Sequence, residues 1–88
     1  MATTPDVTIY TTATCTYCQA EKAWLRRHQL PYHEVPVDSD KAAAERMIEL
    51  SGQMNVPVTV VGQGDNQELV VGFDEPRLAA AIGLQYGH

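Results

Sequence analysis

Val7-Thr8-Ile9-Tyr10-Thr11-Thr12-Ala13-Thr14-Cys15-Thr16-Tyr17-Cys18 is the stretch that decides the fold. Its first four residues are β-branched or aromatic and follow Pro5 and Asp6, which reads as a strand. Thr11 to Thr14 read as a short loop. A helix is expected from about Cys15 to Gln29, where Leu30-Pro31 closes it, because the residue before a proline avoids helical geometry. Cys15 and Cys18 are the chain's only cysteines. Their spacing sets the two sulfurs about one helical turn apart at the start of that helix. A disulfide can close and reopen there with little backbone movement. The strand-to-helix setting points to a thiol–disulfide redox site. Free N–H groups at the helix start, that of Thr16 among them, and the positive end of the helix dipole favour a thiolate at Cys15. Cys18, inside the first turn, is expected to be the more buried and less acidic thiol.

The rest of the chain alternates in the same manner. Tyr32 to Val37 suggest a second strand, placed at a sheet edge by Pro36. Asp38-Ser39-Asp40 offers a cap to a helix reaching about Leu50, with Ala43, Ala44, Met47 and Ile48 as its apolar stripe and Gly52 as its stop. Val58 to Val61 and Leu69 to Val71 form a hairpin across the turn residues 62–66. Asp74, Glu75 and Pro76 open a last helix, which buries Leu78, Ala79 and Ile82 and stops at Gly83. The order β-α-β-α-β-β-α, with a right-handed parallel crossover first and a hairpin later, gives a four-stranded mixed sheet flanked by three helices. In the first helix Tyr17, Ala20 and Trp24 share one face, while Cys18 and Leu25 lie close to another. Trp24, Met47 and Ile48 read as core.

Eighty-eight residues imply one domain over 1–88. A net charge of −5 and the lack of a basic run argue against nucleic acid as a partner. Nine of the eleven acidic residues lie beyond residue 33, whereas Lys22, Arg26 and Arg27 sit on the cysteine helix. No apolar stretch is long enough to cross a bilayer, and the first residues do not read as a signal peptide. A cytoplasmic location follows as an expectation, and there a cycling disulfide is more at home than a structural one. Cys15, Cys18, His28 and His33 do not make a zinc set. The spacing from Cys18 to His28 is short for a finger, and Pro31 parts the histidines. No metal site is expected.

Three landmarks in order resemble the glutaredoxin branch of the thioredoxin fold. They are Ile9-Tyr10-Thr11-Thr12 running into Cys15-Thr16-Tyr17-Cys18, then Val56-Pro57, then Gly72-Phe73-Asp74. The resemblance covers essentially the whole chain. It implies a dithiol oxidoreductase in which Cys15 attacks a disulfide and Cys18 resolves the mixed disulfide. It implies a cis Pro57 that turns the Val56 backbone toward an extended thiol peptide. Tyr17 would flank the bound thiol, and Gly72, Phe73 and Asp74 would hold its far end. No bound cofactor is implied. Glutathione or another low-molecular-weight thiol would be a co-substrate, and disulfide-containing proteins the partners of a monomer. A second implied activity is a cluster carrier, since some glutaredoxins bridge an iron–sulfur cluster between two subunits through the first cysteine and glutathione.

The chain departs from that family pattern where glutathione is held. Thr16 replaces a common proline. Thr12 stands where a Lys or Arg is frequent, and Gln53, Met54 and Asn55 fill a stretch that often carries a cation. Each missing cation removes a charge-assisted contact of about 1.5–3 kcal/mol. The departures lean toward a sister group, the redoxins that reduce ribonucleotide reductase and draw electrons from thioredoxin reductase. The mycoredoxins are the other similar group.

Overall fold

The computed structural model describes residues 6–62 and 67–83. Its elements are β1 (Val7–Thr11), α1 (Thr16–Arg27), β2 (His33–Pro36), α2 (Lys41–Ser51), β3 (Val58–Val61), β4 (Glu68–Val71) and α3 (Glu75–Ile82). The expected turn at residues 62–66 lies outside the described residues except for Gly62, as does the tail after Gly83. The sheet order is β2-β1-β3-β4. β1 pairs in parallel with β2 and antiparallel with β3, and β3 pairs antiparallel with β4. Pro36 therefore stands on an edge strand, where a missing N–H breaks no inner ladder.

Strand alternation divides the core into two layers. Val7, Val61 and Val70 pack with Trp24 and Leu25 of α1 and with Leu78, Ala79 and Ile82 of α3. Tyr10, Val58 and Val60 face the other way, onto Met47 of α2 with Ala43 and Leu50 beside it. One helix covers that second face, so only one stripe of α2 is buried. Positions 43, 47 and 50 take it, and Ile48, expected in the core, is 38% exposed. It sits about 100° around the helix from Met47.

Two further expectations change. Thr11, read as loop, ends β1 and is buried. α1 buries Cys18, Glu21, Trp24 and Leu25, while Tyr17 and Ala20 are exposed. The helix also stops before Leu30-Pro31. Its last residue is Arg27, and Gln29 adopts a left-handed φ of 57°. The Leu30 N–H then reaches back to the Leu25 carbonyl at 2.9 Å, which seats Leu30 in the core. A residue with a Cβ is disfavoured in that conformation. Gln29→Gly is therefore expected to raise stability by about 0.5–1 kcal/mol in urea titration.

Candidate active site

The chain ends of the strands place the site. Tyr10 pairs with Val58, and Val58 with Val71. The loop after β1, the entry to β3 and the exit from β4 therefore meet at one end of the sheet. Those three segments carry Cys15 to Cys18, Val56-Pro57 and Gly72-Phe73-Asp74.

Cys15 is the N-cap of α1, with extended backbone and a side chain that accepts the Cys18 N–H at 3.0 Å. Cap residues are usually Ser, Thr, Asp or Asn because their oxygens satisfy the orphan N–H groups of the first turn. Here sulfur does that work, so the nucleophile candidate is bound into the helix start. The donor is the Cys18 N–H rather than the expected Thr16 N–H. Cys15 is half-buried, whereas Cys18 is fully buried behind it. Both thiols are free, with no disulfide between them. Burial pushes the Cys18 thiol up to about 12, and its hydrogen bond to Cys15 adds to this. A backbone hydrogen bond from Thr12 works in the opposite direction. At neutral pH Cys18 thus keeps its proton, and the two sulfurs are chemically distinct.

The loop that delivers Cys15 is tied to its neighbours. The Cys15 N–H donates to the Thr12 carbonyl at 3.4 Å, and the Val37 N–H to the Thr11 carbonyl at 2.8 Å. The Ala13 N–H donates to Asp38 Oδ2 at 2.9 Å. Asp40 alone caps α2, through the Ala43 N–H. Asp38 is thus a positioning residue for the cysteine loop, which its place in an Asp-Ser-Asp cap signal concealed.

The Val56–Pro57 peptide bond is cis, and Pro57 is buried. The Pro57 carbonyl accepts the Gly72 N–H at 2.8 Å, locking the entry to β3 against the exit from β4. Val56 takes part in none of the loop and turn backbone hydrogen bonds among the described residues. Gly72 has a φ of 83°, so a side chain there is strained. Tyr17 is 69% exposed beside the cysteines in sequence, and Met54 is 75% exposed just before Val56. Two expected ligand contacts also have structural roles. Phe73 packs against the core layer of α1 and α3. The Asp74 carboxylate caps α3 by accepting the Arg77 N–H at 3.3 Å.

Glu21 is the group that the sequence reading missed. It is fully buried one turn beyond Cys18, accepts the Thr59 hydroxyl at Oε2, and has no partner for Oε1 among the described residues. Burial pushes its carboxyl up to about 7, against the opposing pull of the Thr59 bond. The cations of α1 lie elsewhere. Lys22 pairs with Glu34 at 2.8 Å, and Arg26 donates to the Tyr32 hydroxyl. No group of three or more His, Cys, Asp or Glu among the described residues is arranged to hold a metal.

A mixed sheet between two helical layers, with a dithiol at the first helix start and a cis-proline entering the third strand, defines a thioredoxin-like redoxin. The glutaredoxin family model matches residues 7–64. Glutaredoxin 3 of Escherichia coli K12 is 42% identical over 52 residues, a match spanning 59% of this chain and 63% of that protein. A glutaredoxin-like 8.6 kDa protein from the rubredoxin operon of Clostridium pasteurianum is 31% identical over 76 residues, covering 86% of this chain and 96% of the relative. The structure of the Escherichia coli glutaredoxin-like NrdH-redoxin, a protein with a thioredoxin-like activity profile, superposes with a TM-score of 0.72. It is 27% identical and covers 85% of this chain and 92% of that one. The chain belongs to the glutaredoxin family.

Proposed function

We propose that this chain reduces protein disulfides by a dithiol cycle and is recharged by a thioredoxin-reductase-type flavoprotein rather than by glutathione. The observation that carries the cycle is the Cys18 N–H held 3.0 Å from Cys15 Sγ at an accessible helix start, with the Cys18 thiol buried behind it. The N–H and the helix end face the sulfur that attacks. Cys15 attacks one sulfur of the substrate, the substrate disulfide breaks, and a mixed disulfide forms. Capture by Cys15 removes the sulfur anion that helps to hold the Cys18 proton. Cys18 then attacks Cys15 Sγ, a disulfide closes between the two cysteines, and the substrate leaves fully reduced.

A strand-like substrate segment would lie along the Val56 backbone, with Tyr17 and Met54 offering apolar contact around the sulfurs. The choice of donor rests on what faces the site. Thr12 brings no positive charge. Gln53, beside the second anchoring stretch, is consumed locally. Its Nε2 donates to Ser51 Oγ at 3.2 Å and to the Asn55 carbonyl at 3.0 Å, and its Oε1 accepts the Asn55 N–H at 2.7 Å. The two carboxylates of glutathione would find no cation at either position. Ribonucleotide reductase is the substrate class that the likeness to the NrdH-redoxin suggests, in a reducing cytoplasm that returns Cys15 and Cys18 to the dithiol.

A donor comparison tests the reading. Insulin-disulfide reduction is measured with NADPH and thioredoxin reductase, and separately with NADPH, glutathione and glutathione reductase. The flavoprotein route is expected to be faster by about a hundredfold or more, in line with two lost charge-assisted contacts. Equal rates, or a faster glutathione route, would overturn the donor assignment.

A further inference from the structure

The dithiol cycle requires the Cys18 thiol to lose a proton in a buried place, and the geometry points to Glu21 as the group that takes it. The inference rests on Cys18 being the resolving thiol, as proposed above. Cys18 and Glu21 are three residues apart on α1, a spacing that sets side chains on one helix face with about 5–6 Å between their Cβ atoms. Both are fully buried on the same inward stripe. One carboxyl oxygen is occupied by the Thr59 hydroxyl, and the other, Oε1, is an unpartnered buried acceptor. A buried carboxyl oxygen without a partner is costly, so its presence here calls for an explanation.

The surroundings leave Glu21 with few other charge partners. From β3 the facing group is the Thr59 hydroxyl. α3 contributes Leu78, Ala79 and Ile82 to this layer. On α1 the titratable neighbour is Cys18, which feels the carboxylate charge of Glu21. The nearest cation in sequence, Lys22, is engaged by Glu34. A carboxyl brought to about 7 by burial stands matched to neutral pH, which is the condition for efficient proton transfer.

The step balances without another reagent. The Cys18 proton passes to the Glu21 carboxylate, and the Cys18 thiolate attacks Cys15 Sγ. The bond from Cys15 to the substrate sulfur breaks, and its electron pair leaves on that sulfur, which is protonated from solvent. Two electrons have moved from the dithiol to the substrate. When the reductase reopens the disulfide, Glu21 returns the proton to Cys18.

The test separates attack from resolution. Reduced protein is mixed in a stopped flow with an equimolar aromatic disulfide whose thiolate absorbs visible light. The first thiolate released reports attack by Cys15, and the second reports resolution by Cys18. In Glu21→Gln the first phase is expected to keep its rate within about twofold. The second phase slows by about tenfold or more at pH 7 and loses its rise through neutrality. Cys18→Ser is expected to lack the second phase. If that phase persists in Cys18→Ser, the dithiol reading fails. If it vanishes there but is unchanged in Glu21→Gln, only the role of Glu21 fails. A variant that slows both phases equally also overturns the role, since a structural defect would do that. Infrared difference spectra of the unmodified protein give an answer independent of any variant. Reaction of Cys15 with the aromatic disulfide, followed by resolution, should add a protonated-carboxyl band at neutral pH, and no such band would count against the transfer.

Discussion

Cys15→Ser is expected to abolish disulfide reduction, with a loss on the order of 10³-fold or more, because nothing else at the helix start can replace the sulfur nucleophile. The serine hydroxyl would still cap α1, since serine is a favoured cap residue, so the fold should be kept and stability should change little. That separation makes the variant informative. Thermal unfolding should be near that of the parent while insulin reduction falls to the reagent background. Retained activity would mean that electrons enter by another route. Cys18→Ser should behave differently. Attack by Cys15 survives, and the mixed disulfide then persists because its resolving partner is gone. Mass spectrometry after exposure to a disulfide should show an adduct on Cys15 in this variant. The unmodified protein should show the loss of two hydrogens instead. The asymmetry follows from the buried thiol held near 12 behind the accessible one. An adduct on Cys18 would reverse the roles.

The fold and the sulfur centre were legible because each rests on a local signal. Ile9-Tyr10 into Cys15-Thr16-Tyr17-Cys18 marks a strand feeding a helix, and Val56-Pro57 marks the entry to β3. What was illegible lies in side chains whose environment is set across the sheet. Glu21 stands beside Lys22 in a polar run and reads as solvated. Yet positions 18, 21 and 25 follow the helical spacing of a buried stripe, and Thr59 alternates with Val58 and Val60 to face that stripe. The signal was present, but the residue type argued against it. Ile48 shows the converse. Its type says core, but its angle around α2 turns it away from the single face that α2 covers. Asp38 was hidden because an Asp-Ser-Asp run is sufficient as a helix cap. Only the return of β2 beside β1 shows the Asp38 carboxylate reaching the Ala13 N–H.

Folding stability should fall as pH rises from about 4.5 to about 7, and Glu21 is the cause. Its carboxyl is raised by burial from 4.5 to about 7 in the folded chain. Below the lower value the group is protonated whether the chain is folded or not, and its full contribution is present. Between the two values the unfolded chain has released the proton and the folded chain still binds it, so each increment of pH favours unfolding. Above about 7 both states are ionised and the loss is complete. At 1.36 kcal/mol per pKa unit the loss is on the order of 3 kcal/mol. That is a large share of the 5–15 kcal/mol typical of a whole domain. Glu34 does not obscure it. Its carboxyl is lowered by the hydrogen bond from Lys22, so its contribution is lost only as pH falls below the ordinary carboxylate range. Glu21→Gln keeps the shape and can still receive the Thr59 hydroxyl, but it has no charge to bury. Urea titrations of both proteins from pH 4.5 to 8.5 should diverge steadily, leaving the variant more stable by about 3 kcal/mol at pH 8. Parallel curves would show that Glu21 does not titrate in this range, and would remove with it the proton acceptor argued for Cys18. The substitution that steadies the fold above neutrality is thus the one expected to stall the second sulfur. A chain that carries a buried carboxyl at such a cost, with a neutral isostere one substitution away, is consistent with a carboxyl kept for its proton.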